Sequence, residues 1–303
     1  MESTPTSAAT TGGVEQAAQR QRSVGVRSFF ERLFKTRLSA VALAIIVLMI
    51  LMAIFAPIIA PQKPDAVDFA AVLKGPSREH LLGTDNLGRD VLSRTIYGSR
   101  VSLQVGIIAV GISLIIGTVL GLVAGYMSGT FLDSLIMRCM DALLAFPTLV
   151  LALAITAALG PSLTNVMIAV GVVGIPSYAR LIRGQVLSVG QHEYVEAART
   201  SGASDARIIW RHILPNVTAP LIVQASIGVA FAILAEASLS FLGLGVQPPT
   251  PSWGGMLSIG KDYLQYAAWM ALVPGAAIFL IVLAFNFLGD GIRDALDPHL
   301  RNR

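Results

Sequence analysis

Apolar positions along this chain gather into long uncharged runs, with almost none of the strict alternation a half-buried strand would show. A hydrocarbon core ~30 Å thick is crossed by roughly 20 helical residues. Residues 38–60 and 101–127 each supply one such run without a charge. Residues 142–179 are 38 uncharged residues, too many for one crossing, and Gly160, Pro161 and Ser162 divide them with turn chemistry. A fifth run covers about 217–240 and includes Glu236. A sixth covers about 267–289. The pattern predicts an all-α membrane protein of six spans, with both termini on one side. In domain terms these are a tail 1–37, a first span 38–60, an external loop 61–100, a five-span core 101–291 and a C-terminal segment 292–303.

Finer periodicities add detail. Gly117, Gly121 and Gly125 recur every four residues and share one helix face, which suits close backbone contact with a neighbour or the lining of a ligand path. Pro147 and Pro274 are expected at kinks or breaks. Before the second span, Leu87, Val91, Leu92 and Ile96 lie on one side of a helix and Arg89, Asp90 and Arg94 on the other. That predicts an amphipathic helix lying in the membrane interface.

Composition supports the membrane assignment. Hydrophobic residues make up 54% of the chain and charged ones 13%, about half the roughly 25% of a soluble domain; mean hydropathy is +0.69. With the N-terminus in the cytoplasm, fifteen of the 22 Lys and Arg fall inside and seven outside, the bias that sets orientation. Residues 1–37 are polar, lack a signal-peptide core and read as a partly disordered cytoplasmic tail. The single cysteine, Cys139, excludes an internal disulfide.

Candidate chemistry is sparse. The chain has no Gly-x4-Gly-Lys-Ser/Thr phosphate loop, no His-Glu-x2-His, and four scattered histidines (His80, His192, His212, His299). Neither a catalytic centre nor a cofactor or metal site is expected. Asp133, Asp141, Glu236 and Asp290 are the acids near spans, and Glu236 alone sits inside an apolar run. An intramembrane acid is costly. A structural hydrogen bond, a substrate or gating role and a proton relay are all open for Glu236, and Asp141 is a second candidate for the substrate path.

The loop 190–216 breaks the apolar pattern. Residues 192–200 form a short helix of good formers, and Gly202 suits the left-handed residue that ends one. Ser204 can cap a second helix, in which Ala206, Ile209, Trp210 and Ile213 share a face expected to lie against the bundle or the membrane interface. Pro215 is expected to end that helix and Asn216 to cap the fifth span. Glu193 and Glu196 flank a tip that carries Ala197 and Ala198. Small side chains and an acid suit a helix that enters a partner's groove; a plain solvated connector is the alternative.

The segment EAARTSG followed by RHILPN resembles the EAA signature of binding-protein-dependent ABC importer permeases. Glu196, Ala197, Ala198, Gly202, Leu214 and Pro215 stand at matching positions, and His212 occupies the place usually held by Ile. GTDNLGRDVLSR, AFPTLVLA, EASLSFLGLG and LGDGIRDALDP resemble the second permease subunit of the dipeptide/oligopeptide subfamily, and together they span nearly all of the chain after about residue 35. The resemblance implies a type I importer fold with a cytoplasmic coupling helix, in a prokaryotic plasma membrane. It also implies partners: a second homologous permease, two ATPase subunits holding ATP and Mg, and an external solute-binding protein, with no nucleic acid. Peptides are the implied cargo, nickel complexes or glutathione the alternatives, and an ATP-independent carrier the rival mechanism.

Overall fold

The structure, a computed structural model, describes residues 33, 34 and 36–296. Most of the expected tail 1–37 and the end of the C-terminal segment 292–303 lie outside the described residues. The helices are α1 (Arg37–Ile54), α2 (Ala56–Ile59), α3 (Val91–Tyr126), α4 (Phe131–Leu144), α5 (Thr148–Leu159), α6 (Leu163–Val189), α7 (Glu193–Thr200), α8 (Asp205–Ile208), α9 (Leu214–Phe241), α10 (Trp253–Gly260) and α11 (Trp269–Leu296). Among the described residues five helical stretches are long and apolar enough to cross a membrane, and the pair α4 and α5, bent by 92°, counts as a sixth if the two together form one span.

The α3–α6 pair is the core of the bundle. A Cβ on Gly117 would lie 2.6 Å from Tyr178 Cβ, one on Gly121 2.6 Å from the Ala179 carbonyl, and one on Gly125 2.7 Å from Val186 Cβ. The glycine stripe is therefore a helix–helix contact. Val105, Val166, Ile182, Val186, Val217 and Leu239 fill the apolar cluster around it. A second cluster joins α1, α10 and α11 to the other side of α3 and α9, with Ile46, Ile233, Trp253 and Ile281 at its centre.

The segment before the second span departs from the expected interface helix. Helix α3 begins at Val91, capped by Asp90, whose carboxylate accepts from the Ser93 N–H at 2.8 Å, and runs unbroken into the membrane. Arg89, Asp90 and Arg94 are buried. Asp85 accepts from Arg89 Nε at 2.7 Å, Arg94 Nη1 donates to the Pro64 carbonyl at 2.8 Å, and His80 Nδ1 lies 3.1 Å from Asp90 Oδ1. Leu87, Arg89 and Asp90 precede the helix instead of lying on its faces, and residues 61–90 fold back over the polar side that carries Arg94 in place of the expected water. Trp269 pins this cap to the bundle, donating to the Thr84 carbonyl at 3.0 Å, and Trp253 of α10 ties to α3 through the Thr95 carbonyl at 2.9 Å.

Two other expectations change. The fourth span extends well past Ala179, carrying Arg180 and Arg183. The break at Pro147 appears as expected, since Pro147 has no N–H to continue α4 and stands at the cap of α5; at Pro274 there is no break, and the proline sits inside α11, the place where a kink forms.

The contact makes a test. Gly121→Val drives a side chain into the α6 backbone and is expected to cost about 1–3 kcal/mol or more. Gly111 has nothing within 4 Å of its Cβ position, so Gly111→Ala is expected to behave as wild type. Thermal unfolding in detergent checks both: equal midpoints for the two variants would contradict this packing.

Candidate functional site

Helix α7 stands at the end of the bundle where α3 and α6 finish. Val195 faces inward and is fully buried, together with Ile208 of α8. Glu193, Glu196 and Ala197 are exposed, and Ala198 is half-buried. Val195 thus anchors the helix while the acids and small side chains point outward. Gly202 takes φ +80 and the Ala203 N–H reaches back to the Ala198 carbonyl at 3.1 Å, a left-handed helix stop of the Schellman kind. Tyr126, the last residue of α3, donates its hydroxyl to Asp205. The loop is therefore tied to the bundle on both sides of its bend.

After the bend the chain does not stop at Pro215. Helix α8 passes through a π-turn, Ile209–Ile213, in which the Leu214 N–H bonds the Ile209 carbonyl, and continues directly as α9. Asp205–Phe241 is one helical path of 37 residues. Pro215 has no N–H to give the ladder, and it stands directly after the π-turn, where the regular bonding of the path is already interrupted. Leu214 and Pro215 thus lie within the helix, and Asn216 donates to the His212 carbonyl at 2.7 Å rather than capping a new one. The π-turn also shifts the register. Ile208 and Ile213 are buried while Trp210 is 69% exposed, so of the two surfaces expected for that face, the bundle and the membrane interface, Trp210 is not on the bundle. His212 is half-buried beside Tyr194, ring centroids 6.3 Å apart, and Ile213 takes the anchoring place next to it. The exposed aromatics Tyr194 and Trp210 extend the outward surface of α7; only their position beside the motif could have marked them.

A second polar region lies deeper, where α4 and α5 break. Asp133 receives two parallel bonds from Arg183, at 2.7 and 2.8 Å, and also accepts from the Gly129 N–H. Asp141 pairs with Arg180 in the open. Above that pair is a cavity of about 260 Å³ between α3, α5, α6 and α9, whose walls include Thr148, Ser177, Gln224 and Phe231. Glu236 is not part of that wall. It is fully buried, with Oε1 accepting from Ser240 at 2.7 Å and Oε2 without a hydrogen-bond partner among the described residues. No group of three or more His, Cys, Asp or Glu among the described residues is placed to hold a metal.

A multi-span bundle with a small-residue helix held outward at one end, and a largely apolar cavity with a few polar side chains at a broken span, has the form of a membrane transport subunit. Residues 117–302 match the family described as binding-protein-dependent transport system inner membrane component, and residues 26–76 match the N-terminal TM domain of oligopeptide transport permease C. A dipeptide transport system permease protein DppC from Alkalihalophilus pseudofirmus is 50% identical over 276 residues, covering 91% of this chain and 90% of the relative. A probable D,D-dipeptide transport system permease protein of Escherichia coli is 49% identical, covering 86% and 87%. A glutathione transport system permease protein of Pectobacterium atrosepticum is 44% identical, covering 91% and 92%. Among solved structures, an amino acid ABC transporter shares the fold at a TM-score of 0.51 and 18% identity, covering 66% of this chain and 92% of that one. The chain belongs to the binding-protein-dependent transport inner membrane component family, in its dipeptide and oligopeptide permease branch.

The bend at Gly202 is testable on its own. Ala in a left-handed conformation costs about 1–2 kcal/mol, so Gly202→Ala is expected to speed amide hydrogen exchange across 196–203 roughly 5- to 30-fold. Unchanged exchange there would contradict the assigned bend.

Proposed function

We propose that this chain is one of two permease subunits of an ATP-driven importer of dipeptides or oligopeptides, and that α7 is where it couples to a cytoplasmic ATPase subunit. The observation that carries this is the two-sided character of α7. Its inward residue Val195 is fully buried in the bundle, while Glu193, Glu196 and Ala197 stand free on the other side. Small side chains let a partner's groove close around the helix, and Glu196 offers a directional ion pair to a basic residue there. Ala198 packs at the edge of the groove and Gly202 sets the angle of entry.

In this reading the α7 end is cytoplasmic, in a prokaryotic inner membrane, and both termini share that side. ATP and Mg bind to the two partner subunits, and this chain hydrolyses nothing. Closure of the ATPase pair moves α7, and the continuous path from Asp205 to Phe241 carries that displacement into α9 and so into the wall of the cavity. Access alternates because the nucleotide state favours one arrangement of the paired permeases over the other. An external solute-binding protein delivers the cargo. Relatives named for dipeptide, D,D-dipeptide and glutathione transport support a peptide-like cargo.

Glu196→Lys tests the coupling. Reversing one charge of a docked pair typically costs 2–5 kcal/mol, so dipeptide uptake by cells carrying the full transporter is expected to fall on the order of 30-fold or more. The ATPase subunits should no longer co-purify in mild detergent, while the permease still reaches the membrane. Wild-type uptake with the ATPases retained would overturn the assignment.

A further inference from the structure

Helices α4 and α6 are joined by two Asp–Arg pairs of different character. Asp133–Arg183 is bidentate with a buried carboxylate, a structural clamp. Asp141–Arg180 has side chains 60% and 52% exposed. Depth makes that exposure informative. Tyr178 packs on Gly117, which at 1.5 Å per residue lies about 13 Å along α3 from Tyr126. Arg180 is two residues nearer that end, so the pair sits roughly 10 Å along the bundle from the end of α3. Open charges on a membrane span face water or a partner's polar groups rather than lipid.

The surroundings favour water. Leu144, one turn beyond Asp141, and Ser177, one turn before Arg180, both line the 260 Å³ cavity. The ion pair therefore lies at the mouth of the cavity. The 92° break between α4 and α5 is at the same place, and interrupted backbone is tolerated at membrane depth only inside protein or beside a water-filled space. The side chains of Thr148, Ser177 and Gln224 make no hydrogen bond among the described residues, which leaves donors and acceptors free at the wall. Ser113 and Tyr178, by contrast, spend theirs on the carbonyls of Gly171 and Gln224.

We propose, resting on the importer reading, that this cavity is the section of the passage that holds the peptide in transit, with Arg180 engaging its carboxylate and Asp141 its amino group. A zwitterion matches the pair's two charges, and the guanidinium fork matches a carboxylate. An exposed ion pair is weak and opens at little cost, so the two groups can exchange each other for the peptide ends and close again after release. Thr148, Ser177 and Gln224 meet the peptide amides, and Phe231 gives an apolar wall indifferent to side-chain identity.

The test uses the complete transporter. Asp141→Asn and Arg180→Gln are each expected to lower dipeptide uptake at least tenfold, with the complex recovered at wild-type yield together with its ATPase subunits. The reciprocal variant D141R/R180D rebuilds a merely structural pair but reverses the charges presented to the peptide, so uptake is expected to stay low. In a Cys139→Ser background, the thiol of Ser177→Cys is expected to react with a membrane-impermeant reagent in inside-out vesicles without nucleotide. Uptake within twofold of wild type in the single variants, full recovery in the reciprocal one, or an unreactive thiol would overturn the proposal. The wild-type complex separates the two readings. Its own failure to import overturns the importer reading, whereas import alongside insensitive variants overturns only this one.

Discussion

The contact between α3 and α6 is the constraint on which the rest of the structure depends. Three glycines remove the side chains that would hold the helices apart, and α6 presents backbone and Cβ atoms within 3 Å of the places those side chains would fill. In a membrane, where lipid is as apolar as any side chain, such close packing supplies the attraction that the hydrophobic effect supplies in water. Everything functional is placed relative to this pair. Arg183 and Arg180 reach α4 from α6, Ser113 of α3 donates to the Gly171 carbonyl beside the cavity, and Tyr126 at the end of α3 holds Asp205 just past the bend.

From that fixed pair the chain builds a lever. Val195 and Ile208 seat the two arms of the loop in the same apolar cluster as α6, and the π-turn joins α8 to α9 in one helical path. A flexible linker at Pro215 would dissipate a push on α7. In the proposed coupling the helical path passes it on to Gln224, Phe231 and the other α9 residues of the cavity wall.

Much of this was legible in the sequence, and the failures share a cause. The six spans, the glycine face, the short helix at 193–200 and its left-handed end at Gly202 all follow from length, period and backbone preference, which are local properties. Periodicity reports which residues share a face, however, and not what covers that face. Arg89 and Asp90 precede the helix that their spacing suggests, and with Arg94 they are buried in the fold of residues 61–90 rather than facing water. Trp210 shares an ideal helical face with Ile213, but one π-turn shifts the register and Trp210 is exposed while Ile213 is buried. Pro215 carries a helix-stop signal, yet the path runs on through it after the π-turn. Asp141 was visible as an acid near a span, but its partner Arg180 lies 39 residues away in sequence. Only the packing of α4 on α6 brings the two together.

The proposed coupling is that a displacement of α7 crosses the bend at Gly202, held by the Ala203–Ala198 and Tyr126–Asp205 bonds, and reaches the membrane along the continuous path Asp205–Phe241. It is tested most directly by measuring a distance between spin labels on Thr200 and Leu234 of this chain, with Cys139 replaced by Ser, in the assembled transporter through its nucleotide cycle. The account predicts that this distance stays narrow and constant, while the separation between Thr200 and the corresponding site on the second permease changes on ATP binding. An intrachain distance that broadens or shifts with nucleotide would place a hinge between α7 and α9 and contradict the lever.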